Sequence, residues 1–110
     1  MREVEYINRI GATDRYRHWR RSEKGRVLKF TAQFETFIGG KWRPVVRYDT
    51  AHGYVHRDVM HPNKRQEKIF IGVQSFNEGL TLTEEDIRRN WMKYKEAYLK
   101  EWQSDESKDE

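Results

Sequence analysis

Three of the chain's four histidines fall between positions 52 and 61, within the run Arg47-Tyr48-Asp49-Thr50-Ala51-His52-Gly53-Tyr54-Val55-His56-Arg57-Asp58-Val59-Met60-His61. A half-buried strand alternates apolar and polar side chains, whereas this run concentrates groups that carry protons or charge, so a polar site is expected where they converge. Imidazole serves as acid or base near neutral pH. The chemistry that suits such a set is RNA cleavage. One group takes the 2′-hydroxyl proton, a second protonates the leaving 5′-oxygen, and a fixed cation meets the charge that develops on phosphorus. His52 and His56 are the acid–base candidates, Arg47 or Arg57 the cation, Tyr48 a donor or positioning group, and Asp49 or Asp58 the carboxylate that orients an imidazole. On a continuous strand the two histidines would stand about 13 Å apart, too far to clasp one phosphate. A bend at Gly53 would bring them together.

The same residues admit quieter readings. An Arg-Tyr-Asp strand end makes a surface ion-pair ladder, the Ala51-His52-Gly53 bend can be a turn whose imidazole caps a carbonyl, and His61 before Pro62 is simply a turn residue. His52, His56 and Asp58 or His61 could also ligate zinc or another divalent ion. The absence of cysteine and of an HExxH spacing weighs against that ligand set, and the cleavage mechanism itself asks for no metal and no cofactor.

A second constellation precedes the first. Arg15, Arg17, Arg20, Arg21, Lys24, Arg26 and Lys29 are interleaved with Tyr16, His18 and Trp19, and only Asp14 and Glu23 oppose them. Guanidinium pairs phosphate bidentately and aromatic rings offer stacking faces, so Arg15, Arg17, Trp19, Arg20, Arg21 and Arg26 are the candidate contacts to single-stranded RNA. The alternative is a solvated sheet face with its aromatics turned inward.

At Arg47-Tyr48-Asp49, Ala51-His52-Gly53 and His56-Arg57-Asp58, the chain resembles a group of small uncharacterised bacterial and archaeal proteins, over residues 30–71. More distantly, the Arg-Tyr-Asp-x-Ala segment with histidines following it is similar to TumE-type toxins of toxin–antitoxin pairs. The toxin pattern continues with an Asn after the Asp and a denser His cluster, where this chain has Thr50 and the spaced His52 and His56. The resemblance implies a small RNA-directed toxin or a relative of one, with an antitoxin-like protein as partner. It assigns no catalytic residue.

Composition narrows the classes. A chain of 110 residues fits one domain, since domains of about 100 to 150 residues are typical. Hydrophobic residues are only 35%, so a small core must be built from large side chains, which the 14% aromatic content supplies. The absence of cysteine removes disulfides, thiolate nucleophiles and cysteine-ligated metals. No apolar run approaches the roughly 18 residues a membrane span needs, and a cytoplasmic protein is expected. Of the net charge of +4, residues 103–110 contribute −3 (four acids, one lysine), which leaves +7 on the remainder and favours a polyanionic partner.

The elements that must position these groups follow from periodicity. Over residues 27–38, Leu28, Phe30, Ala32, Phe34, Thr36 and Ile38 share one face while Lys29, Thr31, Gln33 and Glu35 take the other, wet one. Gly39-Gly40 is a turn, and residues 42–49 return with Trp42, Val46 and Tyr48 on one side. Pro44 lacks a ladder donor and places its strand at an edge or at a bulge. Residues 14–21 pair back as an arginine-rich strand across a turn at residues 22–25, and residues 54–60 and 67–73 flank a turn at residues 61–65. Thr83 then caps a helix whose Ile87, Trp91, Tyr94, Tyr98 and Trp102 recur at helical spacing and should pack on the sheet, after a linker at residues 74–80. The expected fold is α+β: an antiparallel β-sheet meander of about five strands with a long C-terminal α-helix packed on one face. It forms a single domain over residues 1–102 with a disordered acidic tail at 103–110. The function read from these features is an RNA-interacting prokaryotic protein, in its sharper form a metal-independent toxin-type endoribonuclease. The alternative is a non-catalytic nucleic-acid or protein interaction module with an architectural His cluster.

Overall fold

The computed structural model describes residues 1–108. Among these, six strands and one helix follow in the order β1 (Arg2–Gly11), β2 (Asp14–Glu23), β3 (Arg26–Ile38), β4 (Lys41–Asp49), β5 (His56–Met60), β6 (Gln66–Phe70) and α1 (Phe76–Lys108). The strands form one sheet in sequence order, each antiparallel to the next, and α1 lies across one face. This is the α+β meander expected, with one strand more. The 33 residues of α1 span about 50 Å, close to the longest dimension of the molecule, 54 Å.

The additional strand is β1. Alternation is confined to Glu3-Val4-Glu5-Tyr6, where Val4 and Tyr6 are half-buried, and it breaks at Ile7, which is exposed. The strand lies at the sheet edge, and its charges discourage pairing with another chain.

Helix α1 begins at Phe76 and not after Thr83. Ser75 Oγ accepts the Glu78 N–H at 3.1 Å, and Glu78 Oε2 accepts the Gln74 N–H at 3.1 Å, a reciprocal cap drawn from the segment expected to be a linker. Thr83 is instead interior to the helix, where its hydroxyl donates to the Gly79 carbonyl at 2.8 Å. Gly79 is small because Val55, the residue before β5, lies against it: a Cβ there would meet Val55 Cγ2 at 2.7 Å. At the far end α1 continues through Gln103 to Lys108, so the segment expected as a tail falls partly on helix, while Asp109 and Glu110 lie outside the described residues.

The core unites Phe30, Phe34, Val45, Val46, Tyr48 and Val55 with Leu80, Ile87 and Tyr98 of the helix, and Trp91, Tyr94 and Trp102 pack against it. The aromatic stripe of α1 thus faces the sheet, with the Trp91 ring 5.8 Å from that of Phe34. At the β3–β4 turn, Gly39 has φ of 63° and the Trp102 ring so near that a Cβ would clash at 2.6 Å, so both backbone and packing demand glycine there.

Pro44 marks a bulge in an interior strand. Phe34 pairs with Val46 but Glu35 with Pro44, so Val45 is the extra residue and both valines are buried. The bulge reverses the phase of β4. Trp42, expected on the side of Val46 and Tyr48, stands instead on the opposite face, against Phe37 and Arg15.

Candidate functional site

Because strand side chains alternate, the register decides which candidates can meet. On the face away from α1, one cross-strand row reads Glu5, Trp19, Thr31, Asp49, His56 and Phe70, and the next reads Ile7, Arg17, Gln33, Arg47, Asp58 and Lys68. Arg15 and Arg21 flank these rows on β2. The Arg15, Arg17, Trp19, Arg21 set and the Arg47, Asp49, His56, Asp58 set therefore share this open face. Arg20, Tyr48 and Arg57 do not. They point toward the helix, and Arg26 is exposed at the start of β3, beside the β2–β3 turn.

The basic part of the open face is organised by one carboxylate. Glu35 accepts from Arg15 Nε at 2.5 Å, lies 3.5 Å from Arg17 Nε and accepts from the Gln33 amide, whose oxygen in turn accepts from Arg47 Nε at 2.7 Å. Gln33 and Glu35 are consequently buried rather than wet, because the arginine side chains close over them. Three guanidinium groups gather around a single acid, which leaves surplus positive charge. Trp42 lies between the same Arg15 guanidinium, 4.2 Å from its ring, and that of Arg9, 5.1 Å away, and Arg21 is 5.8 Å from the Trp19 ring while bonded to Glu3 at 2.7 Å. Trp42, Arg9, Lys68 and Phe70 belong to this face although sequence reasoning left them out. The Pro44 bulge was the one signal that could have placed Trp42 there.

The histidine cluster lies at the β4–β5 end of the same face. Gly53, with φ of 84°, turns the chain so that the His52 ring comes 5.7 Å from the His56 ring, and Tyr54 closes in at 5.6 Å. The two histidines converge as the bend required. His52 is exposed, but His56 is only 1% exposed, and its Nε2 lies 2.8 Å from Asp49 Oδ1, 3.8 Å from Asp58 Oδ2 and 3.3 Å from Lys68 Nζ. His61 is elsewhere, joining Glu101 of the helix at 2.7 Å and Glu67 at 3.2 Å.

The helix-facing candidates anchor the helix. Tyr48 and Tyr94 both donate to Asp86 Oδ2, at 2.7 and 2.6 Å, and Arg57 Nη1 reaches the Tyr94 hydroxyl at 3.2 Å. Burial, reinforced by Asp86, raises the Tyr48 hydroxyl above its ordinary range and that of Tyr94 to about 12. On β2, Arg20 Nη1 meets His18 Nε2 at 2.8 Å, Tyr16 meets Nδ1 at 2.9 Å, and the Tyr6 ring stacks at 4.5 Å. Burial and then the Arg20 charge push His18 down to about 4. Arg20 is thus committed to a buried histidine, not to the open face.

A family model for a domain of unknown function, DUF7718, matches residues 1–104. The chain belongs to that family. No curated protein and no solved structure matches it. The DUF7718 match spans all six strands and most of α1, so the open face and the helix-facing clusters both lie within the family's domain. Among the described residues, no helix is long and apolar enough to cross a membrane.

Proposed function

We propose that this protein binds single-stranded RNA across the open face of its sheet. The observation that carries the reading is the placement of Arg15, Arg17, Trp19 and Arg21 on one face with Trp42 and Arg47, next to the His52–His56 cluster. An antiparallel sheet with one face covered by a helix and the other presenting cations and aromatic rings suits a flexible strand: guanidinium groups take phosphates, and Trp19 and the 68% exposed Phe70 take bases by stacking. The test is titration of a labelled single-stranded RNA at several salt concentrations. Affinity that falls steeply with salt supports the reading, and affinity indifferent to salt rejects it.

A cleavage activity of the toxin type is the sharper form of this proposal, and the approach of the His52 ring to that of His56 favours it. His52 is the accessible ring and takes the proton-transfer role, while His56, held by Asp49, completes the pair. Arg47, on the same face, is the cation for the phosphate; Tyr48 and Arg57 are engaged with the helix. Incubation of the protein with several RNAs tests this form, and intact RNAs at neutral pH would leave the binding module alone.

A further inference from the structure

The group formed by Asp49, His56 and Asp58 is not explained by phosphate binding on the open face, which two carboxylates oppose, or by packing. Each offers one ligand atom, and the three atoms lie within 4.8 Å of one another. Asp58 is 4% exposed, yet its Oδ1 accepts no hydrogen bond among the described residues; its nearest cation is Lys68 Nζ, at 3.7 Å. A buried carboxylate oxygen without a donor is costly. The hydrogen-bond roles at His56 also conflict. To bond Asp49 Oδ1 at 2.8 Å, Nε2 must donate, but to take the Lys68 ammonium at 3.3 Å it must accept, and one nitrogen cannot do both.

A cation at this point removes the conflict at Nε2, leaves the imidazole proton on Nδ1, and sets a second positive charge beside the donorless Asp58 Oδ1. It takes the Nε2 lone pair and one oxygen from each aspartate, and Asp49 becomes a fellow ligand instead of a hydrogen-bond acceptor. Ligands about 2.1 Å from one ion are separated by roughly 3 to 4 Å. The 2.8 and 3.8 Å from Nε2 to the two carboxylates are close to that range, and modest rotation of an aspartate side chain closes the set. One imidazole with two carboxylates suits first-row divalent transition ions, the nitrogen favouring zinc and the oxygens manganese. Access comes from the Lys68 side: its side chain is nearly half exposed, the only one of the four so placed, and it can swing into solvent.

We propose that Asp49, His56 and Asp58 form a binding site for a divalent transition-metal ion, with Lys68 as the displaceable cation that otherwise neutralises the two carboxylates. The ligand set differs from the one the histidine spacing indicated, since neither His52 nor His61 belongs to it. The site stands independently of RNA binding, and an ion held on Nε2 would take His56 out of the proton-transfer pair of the cleavage reading.

The experiment is calorimetric titration of chelator-treated protein with Zn²⁺ and with Mn²⁺ in the absence of RNA, with circular dichroism to check each variant's fold. Saturable binding of one ion per chain is expected for at least one of the two metals. Asp58→Asn should weaken it by roughly 100-fold, since even outer-shell partners contribute about 10- to 100-fold. Lys68→Ala should tighten it by roughly tenfold, because an ammonium near the carboxylates no longer competes. That second variant sits on the exposed rim and keeps the test decisive if Asp58→Asn fails to fold. His61→Gln, which removes the separate Glu67–His61–Glu101 cluster, should leave binding unchanged. Absence of saturable binding at millimolar metal, affinity unaltered by Lys68→Ala or by a folded Asp58→Asn, or binding lost with His61→Gln would each overturn the assignment.

Discussion

His56 and Arg57 are neighbours in sequence and stand on opposite sides of the sheet, the imidazole against Asp49 on the open face and the guanidinium against the Tyr94 hydroxyl beneath the helix. A single peptide step thus separates a polar surface cluster from the device that docks α1. The same alternation divides β2, where Arg17 and Trp19 face outward while His18 and Arg20 face the helix.

That division makes the arginines of β2 a controlled experiment. Replacing Arg17 and Arg21 by Gln should weaken RNA binding and flatten its log–log salt dependence by about 0.7 for each phosphate contact removed. Arg20→Gln should leave the slope intact and lower the melting temperature. Equal effects of both changes on the slope would remove the open face from the binding surface.

His52 and His56 should respond differently to truncation. His56→Ala leaves Asp49 and Asp58 together without their shared partner, and a loss of about 1 to 3 kcal/mol in urea unfolding is expected. His52→Ala should leave stability nearly unchanged because the ring is exposed. If the protein cleaves RNA, His52→Ala should slow cleavage by about 10²- to 10⁴-fold with little change in RNA affinity.

Tyr48→Phe removes one of the two hydroxyls that donate to Asp86. A cost of about 1 to 2 kcal/mol in stability is expected, with unchanged RNA affinity at temperatures where the variant is folded. Lost affinity in a fully folded variant would bring the helix-side cluster into the binding surface.

Trp91→Ala opens a gap beside Phe34. The ring is partly buried, so the expected loss is about 2 to 4 kcal/mol, slightly below that of a fully buried aromatic. Denaturant midpoints measure it.

The buried His18 predicts acid sensitivity with a defined sign. Its folded pKa, about 4, lies below the ordinary 6.5, so between these values the unfolded chain binds the proton more readily. The contribution is fully present above pH about 6.5, shrinks as pH falls, and is lost as pH drops toward and through the folded value. Tyr6, Tyr16, Arg20 and Glu84 surround the ring, and of these only Glu84 could favour the imidazolium, from 3.8 Å. His18→Gln should flatten the stability–pH slope between pH 6.5 and 4. A slope identical in both proteins would assign the acid loss to other groups.

Local periodicity was enough to reveal most of the architecture. Alternation at Phe30, Ala32 and Phe34 and the helical recurrence of Ile87, Trp91, Tyr94 and Tyr98 depend on residues close in sequence, so β3 and the inner face of α1 were legible. The Gly39-Gly40 turn and the bend at Gly53 were legible for the same reason. Strand β1 was not, since its alternation covers only Glu3 to Tyr6 and the rest of this edge strand is exposed on both faces. The cap at Ser75 was obscured by a competing Thr-x-x-Asp signal at Thr83 and by Gly79 in the first turns, a residue that packing against Val55 keeps small.

The candidate site divides along the same line. Its residue types were evident from the sequence, as was the need for a bend between His52 and His56. The identity of neighbours was decided by tertiary structure. Cross-strand register brought Arg17 of β2 and Asp58 of β5 into one row, and the bulge at Val45 moved Trp42 onto their face. Register is a relation between segments distant along the chain, set by which strands pair and where an extra residue is inserted. A one-residue shift exchanges every side chain between core and solvent, so spacing within one strand shows which side chains share a face, and only the pairing of strands decides which residues they meet there.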